Sequence, residues 1–491
     1  MFKKTVLATA LCAVLGAPHA VMAATAADNA ALAQIRAEIK DMRSQYEARI
    51  HALEQRLHES EARQTTMATA KAAASAAAAA APVPDNPLPA AATQVSTAAE
   101  PYAAAPPPAA GAGNSFNPAV SLILGGGFTN LSQDPNRYRL QGFIPGGDEL
   151  GPGKRGFNLG ESELTLAASI DPRFAGRLTL SLTPDNQISV EEALFETHGL
   201  SDGLSLKAGR FLSSIGYLNA HHAHTWDFVD APLAYQAFFG GQYKPEGAQL
   251  RWLAPTDRFV ELGVELGRGG TFPGNDRNKN GIGSTAAFAH VGDDIGESAS
   301  YRAGLSYLRT SAAQRAFDDT DRTGATVVNA FTGNSGTWIA DAIYKWSPNG
   351  NPVQTNLKLQ GEYFRRTDRG ALAYNLDPSG QAAASGGYRA AQSGWYLQGV
   401  YQFTAGWRAG IRYDRLDSGN GAIGAGLDPA NFARLASYDP HRATAMLDYS
   451  PSEFSRFRLQ YAQERSQPTV TDHQIFLQYI MSLGAHGAHT F

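Results

Sequence analysis

Histidines at two places in the sequence could bind a metal ion. His221, His222 and His224 lie within four consecutive positions, and His486 and His489 lie three residues apart near the end of the chain. Imidazole suits zinc and copper, but such sites need three or four ligands in a fixed geometry, which this spacing does not supply. We therefore expect no cofactor and no bound metal, and we keep His221, His224, His486 and His489 as metal candidates. The favoured interpretation is that the histidines line an aqueous channel and titrate near neutral pH.

A larger set of charged residues alternates with apolar residues in short segments. The set is Glu161, Glu163, Glu261, Glu265, Lys358, Arg366, Arg408, Arg412, Arg456 and Arg458. Charges on the wall of a water-filled channel influence which ions pass through it, and we expect these side chains to line such a channel. The last four of these residues, all arginines, lie on two segments. Their positions predict a positively charged wall that favours anions. Simple solvation of a polar face is the alternative.

Motifs for catalysis are absent from the sequence. It contains no G-x-S-x-G, no H-E-x-x-H and no phosphate-binding glycine loop. The one cysteine, Cys12, lies in the N-terminal apolar run, so the mature chain has no thiol for catalysis or for a disulfide. We expect no enzyme activity and no catalytic residue. A formal net charge of −4 also argues against a nucleic-acid partner.

The elements that must position these charges are β-strands. From residue 117 onward, short segments alternate apolar and polar side chains, as in Leu178, Leu180 and Leu182, which are separated by polar residues. Sixteen such segments can be counted, two of them irregular, at 188–197 and 285–291. With 18% charged residues and 50 glycines, the pattern predicts an all-β fold, a transmembrane antiparallel β-barrel of 16 strands over 117–491, with 14 or 18 strands as alternatives.

Connections between the segments are alternately short and long. Long loops are predicted at 129–156, 214–245, 267–283, 311–335, 367–390 and 416–440. The longest, 214–245, holds a group of polar and aromatic residues: His221, His222, His224, Trp226, Asp227 and Asp230. Aromatic side chains are costly to leave in water, so we expect this loop to pack against the inside of the barrel, with an extracellular lid as the alternative.

Aromatic residues indicate the membrane boundary. Five of the six tryptophans lie on the apolar face near segment ends, at positions 252, 338, 346, 395 and 407. Tryptophan at such positions is typical of the lipid–water interface. Phe491 closes the last alternating segment, and we expect the barrel assembly machinery to recognise it. The predicted location is the outer membrane of a Gram-negative bacterium, in contact with its lipid.

The N-terminal part of the chain predicts a secreted protein with a stalk. Residues 1–23 read as a signal peptide, with Lys3 and Lys4 before an apolar run. Residues 30–64 show a heptad spacing of apolar residues, typical of an α-helical coiled coil, and 65–116 form an Ala/Pro-rich linker. We expect a periplasmic stalk, a homotrimer and a contact between the stalk and peptidoglycan.

Three strings in the barrel region carry a resemblance. Gly160-Glu161-Ser162-Glu163-Leu164, Lys207-Ala208-Gly209-Arg210-Phe211 and Trp226-Asp227-Phe228-Val229-Asp230 resemble a group of proteobacterial outer-membrane proteins that are similar to the phosphate-selective porins. Some members are labelled TonB-dependent or zinc-regulated receptors. The resemblance implies a porin for small hydrophilic solutes, anions among them, whose third loop, 214–245, narrows the channel. The alternatives are an uptake receptor for a metal such as zinc or another scarce solute, and an envelope tether.

Overall fold

The computed structural model of the chain describes residues 118–146, 150–183, 187–198 and 200–484. The predicted signal peptide (1–23), coiled coil (30–64) and linker (65–116) lie outside these residues. So do His486, His489 and the C-terminal Phe491. Each of these expectations therefore stays a prediction.

Sixteen strands form one closed antiparallel barrel. Their bounds are β1 Ala119–Leu131, β2 Ser162–Ser169, β3 Phe174–Leu182, β4 Ile188–Thr197, β5 Leu204–Arg210, β6 Glu246–Leu253, β7 Phe259–Gly267, β8 Ser284–Ile295, β9 Ala299–Thr320, β10 Thr326–Trp346, β11 Asn356–Leu376, β12 Ala382–Thr404, β13 Trp407–Asp417, β14 His441–Ser452, β15 Ser455–Gln467 and β16 Val470–Gly484. Two short strands, Gly156–Asn158 and Ala422–Ile423, pair with β1 and β12. The predicted count of 16 is confirmed, and the two irregular segments are β4 and β8.

The barrel closes because β1 has a partner on each side. It pairs with β2 through Leu122 and Leu164 and with β16 through Leu122 and Leu483. Each remaining strand pairs with the next along the chain, so no free strand edge remains within the described sheet. A closed ladder satisfies the backbone hydrogen bonds within the sheet, as a lipid environment requires.

The two faces of the barrel wall differ in chemistry. In β7, the side chains of Leu262, Val264 and Leu266 point outward and are exposed, whereas Glu261 and Glu265 point inward and are buried. Alternating side chains lie on opposite faces of a strand, so one apolar outer face and one polar inner face follow from the sequence pattern. This is the arrangement expected of a barrel in lipid.

Aromatic residues form two belts on the outer face. Trp407 stacks on Tyr449 near one barrel end, with ring centroids 4.6 Å apart. Trp338 packs on Tyr307 at 4.7 Å, further along the strands. Trp346, beside a short turn, and Trp338 are eight residues apart on β10, roughly 26 Å along a strand. That spacing suits an apolar band about 25 Å tall once strand tilt is included.

The prediction of long loops is wrong at two places in the chain. Residues 311–335 and 367–390 are mostly strand: β9 and β10 meet at a turn over 321–325, and β11 and β12 meet at 377–381. Beyond the apolar belt the outer face carries polar residues such as Thr332 and Asn334. Outward side chains contact water there, so the hydrophobic alternation disappears while the backbone ladder continues.

One α-helix occurs in the described part of the chain, α1, Leu233–Phe239. All seven of its residues are buried. Within the same residues, no helix has the length and apolar character needed to cross a bilayer. Phe238 of α1 stacks on Phe364 of β11, with ring centroids 5.7 Å apart and planes 6° from parallel. The helix therefore packs against the inner side of the barrel wall.

Candidate functional site

The connection between β5 and β6, residues 211–245, lies inside the barrel. We call it the inner loop. Its apolar residues Ile215, Leu233 and Phe238 are fully buried, and they form a core with side chains of the inner wall such as Ile339 and Phe364. The loop is therefore not an extracellular lid. Burial of this apolar surface accounts for an inward position.

Glu362 of β11 holds one end of the inner loop. Its carboxylate accepts hydrogen bonds from the backbone N–H groups of Tyr217, at 3.1 Å, and Leu218, at 2.9 Å. It also accepts from the hydroxyls of Tyr235 at 2.9 Å and Tyr396 at 2.6 Å. Gly216 precedes these residues with φ +72°, and a Cβ there would lie 2.4 Å from the Glu362 carboxylate. Glycine is therefore needed for the close approach of the loop.

Asp227 holds the middle of the inner loop. Its carboxylate pairs with Lys358 of β11 at 2.5 Å and Arg408 of β13 at 3.3 Å. Burial alone would raise the pKa of Asp227, but the charges of Lys358 and Arg408 outweigh burial and lower it below the usual 3.8. The carboxylate is therefore ionised at neutral pH and ties the loop to two strands.

Asp230 makes a second, similar contact. It pairs with Arg412 of β13 at 2.9 Å and with Arg442 of β14. Burial alone would raise the pKa of Asp230, but Arg442 and Arg412 lower it. Arg442 also donates to the backbone carbonyl of Ala231 at 2.7 Å. Together with Asp227, this residue fixes the loop against β11, β13 and β14.

The predicted positive wall is not a free positive surface. Arg408 and Arg458 pair with Asp448, and Arg412 pairs with Asp414 at 3.0 Å. Arg456 and Arg458 donate to backbone carbonyls of the inner loop, those of His224 and Trp226. Acids pair with three of the four arginines, and the inner loop covers Arg456, so these residues do not form an open positive surface.

The other predicted channel residues also lie on the inner face, and several bind the loop. Glu265 accepts from Ser213 Oγ at 2.6 Å and from the Ser214 N–H at 3.0 Å. Arg366 is fully buried and donates to the Ala237 carbonyl at 3.2 Å. Glu161 lies beside Glu163, and Glu261 binds His290 at 2.8 Å.

In some ion pairs on the inner wall, the basic residue is the more accessible member, whereas in the pairs of Asp230 with Arg412 and Arg442 the acid is. The side chain of Arg302 is 23% exposed and that of Lys358 24%, whereas their partners Asp341 and Asp227 are 0% and 3% exposed. Arg177 and Glu192 show the same difference, at 20% and 0%. Lys345 lies directly opposite Lys358 in the β10–β11 register. We call Arg302, Lys345 and Lys358 the basic patch; it lies on β9, β10 and β11, close to their short turns.

The loop histidines separate into two environments. His221 Nδ1 lies 2.9 Å from the Tyr217 carbonyl, and burial lowers the pKa of His221 to about 4, so its ring is neutral at pH 7. His222 and His224 instead contact Glu163 of β2, at 3.2 and 2.8 Å. Burial alone would lower the pKa of His222, but the charge of Glu163 and hydrogen bonds to carboxylates raise it well above 6.5.

Two residues of this region escaped the sequence analysis. Glu191 and Glu192 are consecutive in β4, yet both are buried and both contact His222, each at 3.2 Å. The pairing of β3 with β4 shifts by one residue between Thr179 and Leu180. Such a β-bulge lets two consecutive side chains face the same side. The irregular alternation of 188–197 was the signal that could have revealed them.

Comparisons with known proteins place the chain in a family. No family model matches it. An uncharacterised protein of Aquifex aeolicus (strain VF5) is 30% identical over 402 residues, covering 77% of this chain and 80% of that protein. The chain belongs to the family of this protein.

Solved structures are less similar to this chain in sequence. A loop-deletion mutant of OmpT, an outer membrane protein of Vibrio cholerae, is 12% identical, with a TM-score of 0.47 over 75% of this chain and 99% of that one. An anion-selective porin from Comamonas acidovorans is 10% identical, with a TM-score of 0.45 over 75% and 99%. The outer membrane channel DcaP of Acinetobacter baumannii is 11% identical, with a TM-score of 0.42 over 75% and 97%.

Proposed function

We propose that the chain is an outer-membrane porin through which small hydrophilic solutes diffuse. The observation that carries the proposal is the inner loop, tied by Asp227, Asp230 and Glu362 to the inside of a closed barrel. An apolar outer face with aromatic belts suits a bilayer, and a charged inner face suits a path for water-soluble molecules. A loop fixed across that path limits the size of the solutes.

Anions are the solutes that this channel favours. The accessible charges of the basic patch are positive, while the acids that pair with Arg302 and Lys358 are buried. Low-dielectric barrel walls focus the field of such charges on the aqueous path. The resemblance to phosphate-selective porins agrees with this preference, and phosphate is the first anion to test.

The proposal includes the surroundings of the barrel. Outer-membrane lipid contacts the outer face, the assembly machinery inserts the barrel, and three copies associate. The N-terminal segment forms a periplasmic stalk. The proposal assigns no catalytic activity to the chain.

Planar-bilayer recording tests the function. Purified chain, free of other porins, is added to a lipid bilayer in KCl, and current is recorded at fixed voltage. We expect stepwise conductance increases and, in a KCl gradient, a reversal potential of the sign that anion permeation gives. A preparation that circular dichroism shows to be folded, but that gives no conductance steps, would contradict the porin proposal. Steps with cation preference would contradict only the anion part.

A further inference from the structure

A cluster of histidine and glutamate side chains lies where the inner loop meets β2 and β4. We call Glu163, Glu191, Glu192, His222 and His224 the Glu–His cluster. Glu163 and the two histidines each offer a ligand atom, and these three atoms lie within 4.8 Å of one another. Glu163 Oε1 is 2.8 Å from His224 Nδ1, and Glu163 Oε2 is 3.2 Å from His222 Nδ1. Glu191 Oε2 is also 3.2 Å from His222 Nδ1.

These separations are close to those of zinc ligands. Zinc binds histidine nitrogen and carboxylate oxygen at about 2.0–2.2 Å in tetrahedral geometry, which places neighbouring ligand atoms about 3.3–3.5 Å apart. To reach that spacing, the 3.2 Å contact of Glu163 with His222 lengthens by about 0.1–0.3 Å and the 2.8 Å contact with His224 by about 0.5–0.7 Å. Imidazole and carboxylate together are a ligand set that zinc accepts.

The charge around the cluster also calls for a cation. Glu161 lies beside the cluster, so four carboxylates meet there, from Glu161, Glu163, Glu191 and Glu192. Arg177 pairs with Glu192 at 3.4 Å and Lys244 with Glu191 at 3.5 Å, and the positive charge of Lys207 also acts on Glu192. These basic residues balance part of the negative charge. Buried carboxylates need compensating charge, which either a proton on His222 or a metal ion supplies. The side chain of His222 is 14% exposed, so an ion can reach it.

We propose that Glu163, His222 and His224 form a binding site for a divalent transition-metal cation, with Zn²⁺ as the ion that fits best. Glu191 is a neighbouring carboxylate, 3.2 Å from His222, outside the three-ligand group. Two ligands belong to the inner loop, and the glutamates belong to β2 and β4, so the ion cross-links the loop to the wall. This contact adds to those that hold the loop against β11, β13 and β14. Zinc binding does not require that the barrel conducts, so the site stands apart from the porin proposal.

Zinc content measures the site directly. The full chain, purified without an added histidine tag, is stripped with a chelator, dialysed against ZnCl₂ and analysed for zinc and by titration calorimetry. We expect one high-affinity Zn²⁺ per chain. The variants Glu163→Gln and His222→Gln/His224→Gln should bind it at least tenfold more weakly.

Two control variants separate this site from other histidines. His290→Gln breaks a buried histidine–glutamate contact of equal length, 2.8 Å to Glu261, that has no second histidine. His486→Gln/His489→Gln removes the pair near the C-terminus. Both variants should bind zinc like the wild type. Zinc loss caused by the C-terminal variant alone would overturn the proposal.

Thermal unfolding tests whether a variant that does not bind zinc is still folded. A ligand that binds only the folded state raises the unfolding midpoint, and above its dissociation constant the stabilisation grows with the logarithm of its concentration. Zn²⁺ should therefore raise the midpoint of the wild type and of His290→Gln, but not that of Glu163→Gln. A wild-type chain with less than a stoichiometric amount of zinc, or a His222→Gln/His224→Gln variant with full zinc content, shows that protons alone occupy the cluster and overturns the proposal.

Discussion

Arg412 in β13 binds Asp230 of the inner loop twice, once at the side chain and once at the main chain. Its Nη2 lies 2.9 Å from the Asp230 carboxylate, and its Nη1 donates to the Asp230 carbonyl at 2.9 Å. The planar guanidinium makes the two bonds through two nitrogens held in a fixed geometry, which the single nitrogen of a lysine does not offer. The position of the loop therefore depends on a strand that follows it by more than 160 residues along the chain.

Replacing Asp230 should loosen the loop. Asp230→Asn removes a charge that pairs with Arg412 and Arg442, both buried, and leaves those guanidinium groups short of a partner. Breaking a buried ion pair from one side costs about 3 kcal/mol. We expect a lower unfolding midpoint and larger, noisier single-channel currents. Asp439→Asn is the control, since its 3.0 Å pair with Arg415 is about half exposed. Equal effects of the two variants would contradict a special role for Asp230.

Acid should loosen the same contact. The pKa of Asp230 is lower in the folded chain than its usual 3.8, because Arg442 and Arg412 outweigh burial. Its contribution to stability is therefore fully present above about pH 4 and is lost as the pH falls through the lowered pKa. We expect constant channel noise from pH 7 down to about pH 4 and more noise below it. An Asp230-dependent transition between pH 5 and pH 7 would rule out this assignment.

Glu362 should be sensitive to a change that keeps its size. Glu362→Gln replaces one carboxylate oxygen with an NH₂ group, which faces the donors of Leu218, Tyr235 and Tyr396 instead of accepting from them. An unsatisfied buried donor costs about 1–3 kcal/mol. We expect a lower unfolding midpoint and increased hydrogen exchange in 216–220. Glu453→Gln, in an exposed turn, should leave both quantities unchanged.

The barrel could be predicted from the sequence because period-two alternation survives wherever one face meets lipid. The alternation is lost where the outer face meets water, as at Asn334, and there the sequence predicts loops although the backbone forms strands. It also fails at Glu191 and Glu192, where a bulge brings consecutive residues to one face.

The candidate site could be predicted only in part. Alternation placed Arg408 on the inner face, but its partner Asp227 is 181 residues away in the chain. No local pattern connects two such residues, so the sequence alone predicts a free arginine charge. The same reason hid the contact between Glu163 and His224.

Oligomeric state provides a test of the N-terminal segment. Apolar residues at Ile35, Ile39 and Met42 continue a heptad spacing, and charged residues there should weaken the stalk but leave barrels that still associate. We expect sedimentation of the wild type as a trimer in mild detergent and of the variant as a less stable trimer. A monomeric wild type would refute the trimer.

Ion selectivity is the sharpest test of the basic patch. Arg302→Gln/Lys345→Gln removes two inner-face charges and the contact of Arg302 with the Tyr217 ring. It keeps the pair of Lys358 with Asp227 that holds the middle of the inner loop. The positive potential that attracts anions to the aqueous path becomes weaker. The reversal potential in a KCl gradient should therefore shift toward cation selectivity. Because screening acts over about 10 Å at 0.1 M salt, the shift should be largest at low ionic strength.

The control removes the same charge from the other face of the wall. Arg365 and Arg369 of β11 are exposed on the outer face, and the barrel wall separates them from the aqueous path. Arg365→Gln/Arg369→Gln should therefore leave the reversal potential close to that of the wild type. If both double variants shift it equally, net charge rather than the basic patch sets selectivity. If neither shifts it at low salt, the patch is only solvated lining and the preference for anions fails.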